Sequence, residues 1–137
     1  MMTAVLNDRP LSTRQPARRK PSVLLADVEA LVTAALDKAL RRAGYSVYLA
    51  LSASGAVELY ERLSDQIDLV ILDESVLADL DGSQTLTKLR AINPAVRCCF
   101  LTGADHGPLS SQQPNSILRK PFALIEVVQL AGGVTNP

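Results

Sequence analysis

The apolar run DLVILD closes on a carboxylate, Asp73, and a second acidic cluster follows before the chain reaches Asp81-Gly82. A turn would explain such an exit, and so would a site that puts negative charge to use. Three other apolar runs also end on reactive side chains: SVLLAD on Asp27, VRCCFLT on Thr102 and SILRK on Lys120. Two acids, a hydroxyl and a lysine suit phosphoryl chemistry. A carboxylate can attack phosphorus and form an acyl phosphate. A divalent cation offsets the repulsion between carboxylate and phosphoryl oxygens, and Mg2+ favours one or two carboxylates with phosphate. Lysine supplies a point charge to the transferred group and threonine a hydrogen bond. Each residue also has an ordinary alternative. Asp27 and Asp73 could be helix caps or turn residues, Thr102 a plain strand end, and Lys120-Pro121 a plain turn.

That chemistry needs all four ends in one place, and the elements between them say how. SVLLAD is bounded by Pro21 and Asp27 and suits a strand buried on both faces. Leu31, Val32, Ala35, Leu36, Ala39, Leu40 and Ala43 then recur at helical spacing, and Gly44 falls where a helix ends on a left-handed residue. YSVYLAL is the second strand. Ser54 is expected to cap a helix that carries Ala56, Leu59, Tyr60 and Leu63 on one face. DLVILD is the third strand. A helix over 83–92 follows and stops at Asn93-Pro94. VRCCFLT and SILRK are strands four and five. A last helix over 122–131, carrying Phe122, Ile125, Val128 and Leu130, is expected to end at Gly132-Gly133. Strands alternating with helices predict an α/β fold, a doubly wound five-stranded parallel sheet in the order 2-1-3-4-5 covered on both faces. Such sheets bind ligands outside the carboxyl ends of their strands, where Asp27, Asp73, Thr102 and Lys120 all fall.

Composition narrows the partners. The chain has 137 residues, 47% of them hydrophobic and 20% charged, which predicts one packed domain. Formal net charge is zero, but residues 1–21 hold Arg9, Arg14, Arg18, Arg19 and Lys20 against Asp8. That segment reads as a flexible basic N-terminal tail, followed by a body over 22–133 and a C-terminal end over 134–137. The body is net acidic, which argues against nucleic-acid binding. The adjacent Cys98 and Cys99 lie in an apolar run and read as reduced core thiols of a cytoplasmic protein. His106, the only histidine, falls in a Gly/Asp/Pro-rich loop and reads as solvated. No apolar run is long enough to span a membrane, and no signal peptide is legible.

Four motifs in order, VLLADVE, LVILD, FLTG and LRKPF, resemble the response-regulator receiver domain, and the resemblance covers residues 22–131. The resemblance implies a flavodoxin-like three-layer sandwich of the chemotaxis type. It implies that Asp73 accepts a phosphoryl group from a histidine kinase or phosphotransfer protein. It implies that Asp27, Asp73 and the backbone carbonyl of Ser75 hold Mg2+. Thr102 would turn toward the phosphoryl group and Lys120 would pair with it, aimed by a turn at Pro121 whose preceding peptide is cis in this family. The domain would be a phosphoacceptor in two-component signalling rather than an enzyme in the ordinary sense, catalysing at most its own phosphorylation and dephosphorylation. A downstream effector protein would read its state, from a monomer or weak dimer. The chain leaves no length for a DNA-binding output of its own.

Several positions depart from the family pattern. Val28 stands where the second acid of the first-strand pair belongs, so Mg2+ is expected to bind weakly unless Glu29 compensates. The loop after Asp73 reaches Asp81-Gly82 one residue late and carries Leu77-Ala78 where proline is typical. The segment between Thr102 and Lys120 is short, and its glycines and prolines predict that residues 103–116 form the least regular part of the body. Ile117 replaces the aromatic switch residue. These changes keep open a pseudo-receiver, the same fold binding proteins without phosphorylation. A phosphatase with an aspartate nucleophile is disfavoured, because Ser75 stands where its second acid is needed.

Overall fold

Apolar runs without polar alternation can be buried on both faces of a sheet, and three such runs form its centre. In the computed structural model, which describes residues 19–78, 80–103 and 114–135, every residue of β1 (Ser22–Ala26), β3 (Leu69–Asp73) and β4 (Cys98–Thr102) is buried. The flanking strands β2 (Ser46–Ala50) and β5 (Ser116–Arg119) are only partly covered, as edge strands are. All neighbours pair in parallel, and the order is β2-β1-β3-β4-β5. Among the described residues four helices connect or flank the strands: α1 (Ala30–Arg42), α2 (Ala53–Leu63), α3 (Gly82–Ile92) and α4 (Leu124–Thr135).

The pleat sends alternate side chains of each strand to opposite layers. Leu24, Val70 and Leu72 face Ala56 and Tyr60 of α2 and Leu86 and Leu89 of α3. Val23, Leu25 and Ile71 face Leu36 and Leu40 of α1 and Val127 and Ala131 of α4. Cys98 and Cys99 divide between the two layers and are fully buried free thiols. Burial pushes both thiols up, so they stay protonated at neutral pH, which agrees with their reading as inert core residues.

Two expectations about helix ends need correction. The α2 cap is Ser52, whose hydroxyl accepts from the Gly55 amide at 2.9 Å, and Ser54 lies inside the helix. A Cβ at Gly55 would meet Ser52 Oγ at 2.9 Å, so the glycine makes room for the cap. Secondly, α4 does not stop at Gly132-Gly133 but runs on to Thr135. Docking outweighs the glycine propensity there: Ala131 is buried against the sheet layer, and Thr135 Oγ1 lies 3.1 Å from the Tyr45 hydroxyl and 2.8 Å from the Ala131 carbonyl. Gly44 has φ 102°, as its place after α1 required.

At the edge opposite the strands' carboxyl ends, Arg19 pairs with Asp68 at 3.0 Å, and Asp68 also accepts from the Ser22 amide at 2.7 Å. The expectations for His106 and for most of the irregular segment fall on residues 104–113, outside the described residues, as does most of the basic tail. No helix among the described residues is long and apolar enough to cross a membrane.

Candidate functional site

Parallel register decides which side chains meet at the sheet's carboxyl edge. Ala26 pairs with Leu72, so Asp27 and Asp73 leave neighbouring strands one step later, side by side. Asp73 pairs with Leu101 and Thr102 with Arg119, which brings Thr102 and Lys120 to the same edge. The Lys120 amide donates to the Thr102 carbonyl at 2.7 Å and closes that edge.

Asp73 is completely buried and its two oxygens have different partners. Oδ1 accepts from the Ser75 amide at 2.9 Å as the chain turns into a short 3-10 segment, Glu74–Val76. Oδ2 lies 2.8 Å from Lys120 Nζ. Burial alone would lower the Lys120 ammonium, but the hydrogen bond to Asp73 and the charges of Asp73 and Glu29 outweigh it and hold its pKa above the ordinary value. The Lys120-Pro121 peptide preceding this turn's exit is cis.

Asp27 is 1% exposed and its Oδ1 is fully engaged, accepting from the Glu29 amide at 2.8 Å and the Ser75 hydroxyl at 3.1 Å. Its Oδ2 is buried without a hydrogen-bond partner among the described residues. Burial, with help from the Asp73 and Glu29 charges, pushes its carboxyl above 3.8 against the lowering effect of those two hydrogen bonds. One carboxylate oxygen from each of Asp27, Glu29 and Asp73 lies within 4.8 Å of the others. Three carboxylates so close together, one of them carrying the unpaired buried Asp27 Oδ2, supply the hard oxygen donors that Mg2+ takes.

Sequence reasoning located Asp27, Asp73 and Lys120, and the structure sets Asp73 in contact with Lys120 and within 4.8 Å of an Asp27 carboxylate oxygen. Thr102 is on the same edge, but its hydroxyl donates to Glu74 Oε2 at 2.8 Å. Glu74 was missed, although its place directly after Asp73 was a usable signal. Glu29, weighed only as a compensation for Val28, lies in the carboxylate cluster and 3.5 Å from Lys120 Nζ. The Ser75 side chain was also missed: its hydroxyl ties Asp27 to the β3 exit and lies 3.3 Å from the donating Val28 amide. Val28 itself is 48% exposed at the rim, and Ile117 is 41% exposed. Asp81, the far end of the acidic loop, caps α3 in a reciprocal box with Gln84 at 2.7 Å and 3.3 Å, which is the turn explanation for its charge.

Residues 23–131 match the model of the response regulator receiver domain. The sensor kinase CckA of Brucella abortus is 32% identical over 107 residues, which are 75% of this chain and 11% of that protein. The response regulator receiver protein CpdR of the same organism is 31% identical over 110 residues, 77% of this chain and 89% of CpdR. Among solved structures, the receiver domain of a sensor histidine kinase from Pseudomonas aeruginosa PAO1 superposes with a TM-score of 0.74 at 23% identity. That match covers 87% of this chain and all of the other, which carries a magnesium ion in its active site cleft. The chain therefore belongs to the response regulator receiver family. Its members are signalling modules of two-component systems, with a phosphoacceptor and an acidic Mg2+ pocket as general features.

Proposed function

We propose that this chain accepts a phosphoryl group on Asp73 from a phosphohistidine, supplied by a histidine kinase or phosphotransfer protein, and presents the changed surface to an effector protein. The observation that carries this reading is the pairing of buried Asp73 Oδ2 with Lys120 Nζ at 2.8 Å beside the unpartnered Asp27 Oδ2. Burial at a strand end holds the Asp73 carboxylate in one orientation, so little ordering is left for the moment of reaction. One Asp73 oxygen attacks phosphorus, the new P–O bond forms as the P–N bond breaks, and the imidazole leaves with that electron pair. Lys120 then stays as counter-charge to the phosphoryl oxygens. Asp27, Glu29 and Asp73, with the Ser75 carbonyl, would hold Mg2+. When bound, the cation would offset charge on the transferred group. Val28 removes the second acid of the family's pair, and Glu29, exposed and 3.5 Å from Lys120 Nζ, replaces it only in part, so binding is weak and phosphorylation from small donors slow.

Labelling with phosphoramidate and Mg2+, followed by intact mass, tests this. The wild-type chain gains one phosphoryl group slowly, faster at higher Mg2+, and Asp73→Asn gains none. The exposed Val28 at the metal rim favours a second reading, a pseudo-receiver that binds its partner without phosphorylation. Absence of labelling even with a cognate kinase and saturating Mg2+ selects it.

A further inference from the structure

β3 ends at Asp73, opposite Leu101, so the residue that follows each, Glu74 at the start of the 3-10 turn and Thr102 at the end of β4, leaves the sheet at the same edge. Their side chains meet, Thr102 Oγ1 donating to Glu74 Oε2 at 2.8 Å. Thr102 is 5% exposed, so water does not readily replace that acceptor. A hydroxyl has one proton to donate. While it is given to Glu74 it cannot be given to a phosphoryl oxygen on Asp73.

We propose that Glu74 is a positioning residue that latches Thr102, so that loading of Asp73 requires the hydroxyl to exchange one anionic acceptor for another. The proposal rests on Asp73 being the phosphoacceptor. Two details of the site fit a latch that opens. Gly103, next to Thr102, lacks a Cβ that would come 3.2 Å from Glu74 Oε1 and 3.8 Å from Lys120 Cδ, so the carboxylate and the lysine stem share that gap. Glu74, Leu77, Asp81, Gly82 and Thr102 also line a cavity of about 410 Å3, which gives the carboxylate room to swing away. A charge-assisted hydrogen bond is stronger than a neutral one, so the exchange has a cost that the unphosphorylated chain must meet. Glu74 thereby sets how readily this receiver switches, through a residue that the family's motifs leave unspecified.

Beryllofluoride tests the latch without a kinase, since beryllium takes an Asp73 oxygen as its fourth ligand, displacing water, and its fluorines stand in for phosphoryl oxygens. Affinity would be measured with Mg2+ for the wild type, Glu74→Ala, Glu74→Gln, Thr102→Ala and Asp73→Asn, and for Glu74→Ala combined with Thr102→Ala. The latch predicts binding about tenfold tighter in Glu74→Ala, an intermediate gain in the isosteric Glu74→Gln, and no gain from Glu74→Ala once Thr102 is alanine. A gain that persists undiminished in the Thr102→Ala background would reduce the effect to charge repulsion and overturn the latch. Equal affinity in the wild type and both Glu74 variants would also overturn it, while Asp73-dependent binding left the phosphoacceptor reading standing. No Asp73-dependent binding in any variant would remove both.

Discussion

At the scale of single residues, the site gathers two buried carboxylates, Asp27 and Asp73, and the exposed Glu29 around one described cation, Lys120. Lys120 serves Asp73 and leans toward Glu29, and among the described residues nothing hydrogen-bonds Asp27 Oδ2. Because burial raises the Asp27 carboxyl above 3.8, the folded chain binds that proton more tightly than the unfolded chain does. Its contribution to stability therefore falls as pH rises through the window between 3.8 and the raised folded value, and is lost above that value. Asp27→Asn is expected to raise Tm by a few degrees above that window without Mg2+, with the gain shrinking on acidification through it. Melting curves across pH with and without Mg2+ check this, and the variant should lose Mg2+-dependent stabilisation. Val28→Asp acts in the opposite sense. A carboxylate restored at the rim adds to the cation's attraction, and Mg2+ should bind about tenfold more tightly by calorimetric titration, at some cost to metal-free stability.

The elements were more legible than the contacts made at their ends. Apolar runs marked the five strands because central parallel strands bury both faces, and right-handed crossovers left one strand order to expect. The strand ends then located Asp27, Asp73, Thr102 and Lys120, since a side chain at a parallel strand's carboxyl end has little freedom of address. Glu29, Glu74 and the Ser75 hydroxyl lie one or two residues further on, in turns. Their side-chain directions depend on how neighbouring turns pack, which no period in the sequence encodes. The α2 cap failed for a related reason. Ser52 and Ser54 both precede or open the same apolar stripe, and the path of the chain out of β2 chose Ser52. Ser52→Ala should therefore destabilise the fold by ~1 kcal/mol, whereas Ser54→Ala should change it by less than about half of that, measured by urea unfolding. The end of α4 was misplaced because paired glycines look like a terminator, while contacts from Ala131 and Thr135 carry the helix through them.

At the scale of the whole molecule, one sheet does two jobs. Its layers, α1 with α4 and α2 with α3, supply the apolar burial that fixes the strands, and its carboxyl edge spends that rigidity on holding acids together. Membership in the receiver family accounts for the edge, and Val28 and Ile117 are positions where this chain departs from the expected motif pattern. The central claim is that Asp73, rather than any of its acidic neighbours, carries the phosphoryl group. An acyl phosphate is reduced by borohydride to an alcohol, which leaves homoserine where the aspartate stood. After labelling with phosphoramidate and Mg2+, peptide mass spectrometry should find homoserine at position 73 and an unchanged carboxylate at Asp27. Homoserine at 27, a reduced product at Glu29 or Glu74, or phosphoryl mass that survives in Asp73→Asn would contradict the account.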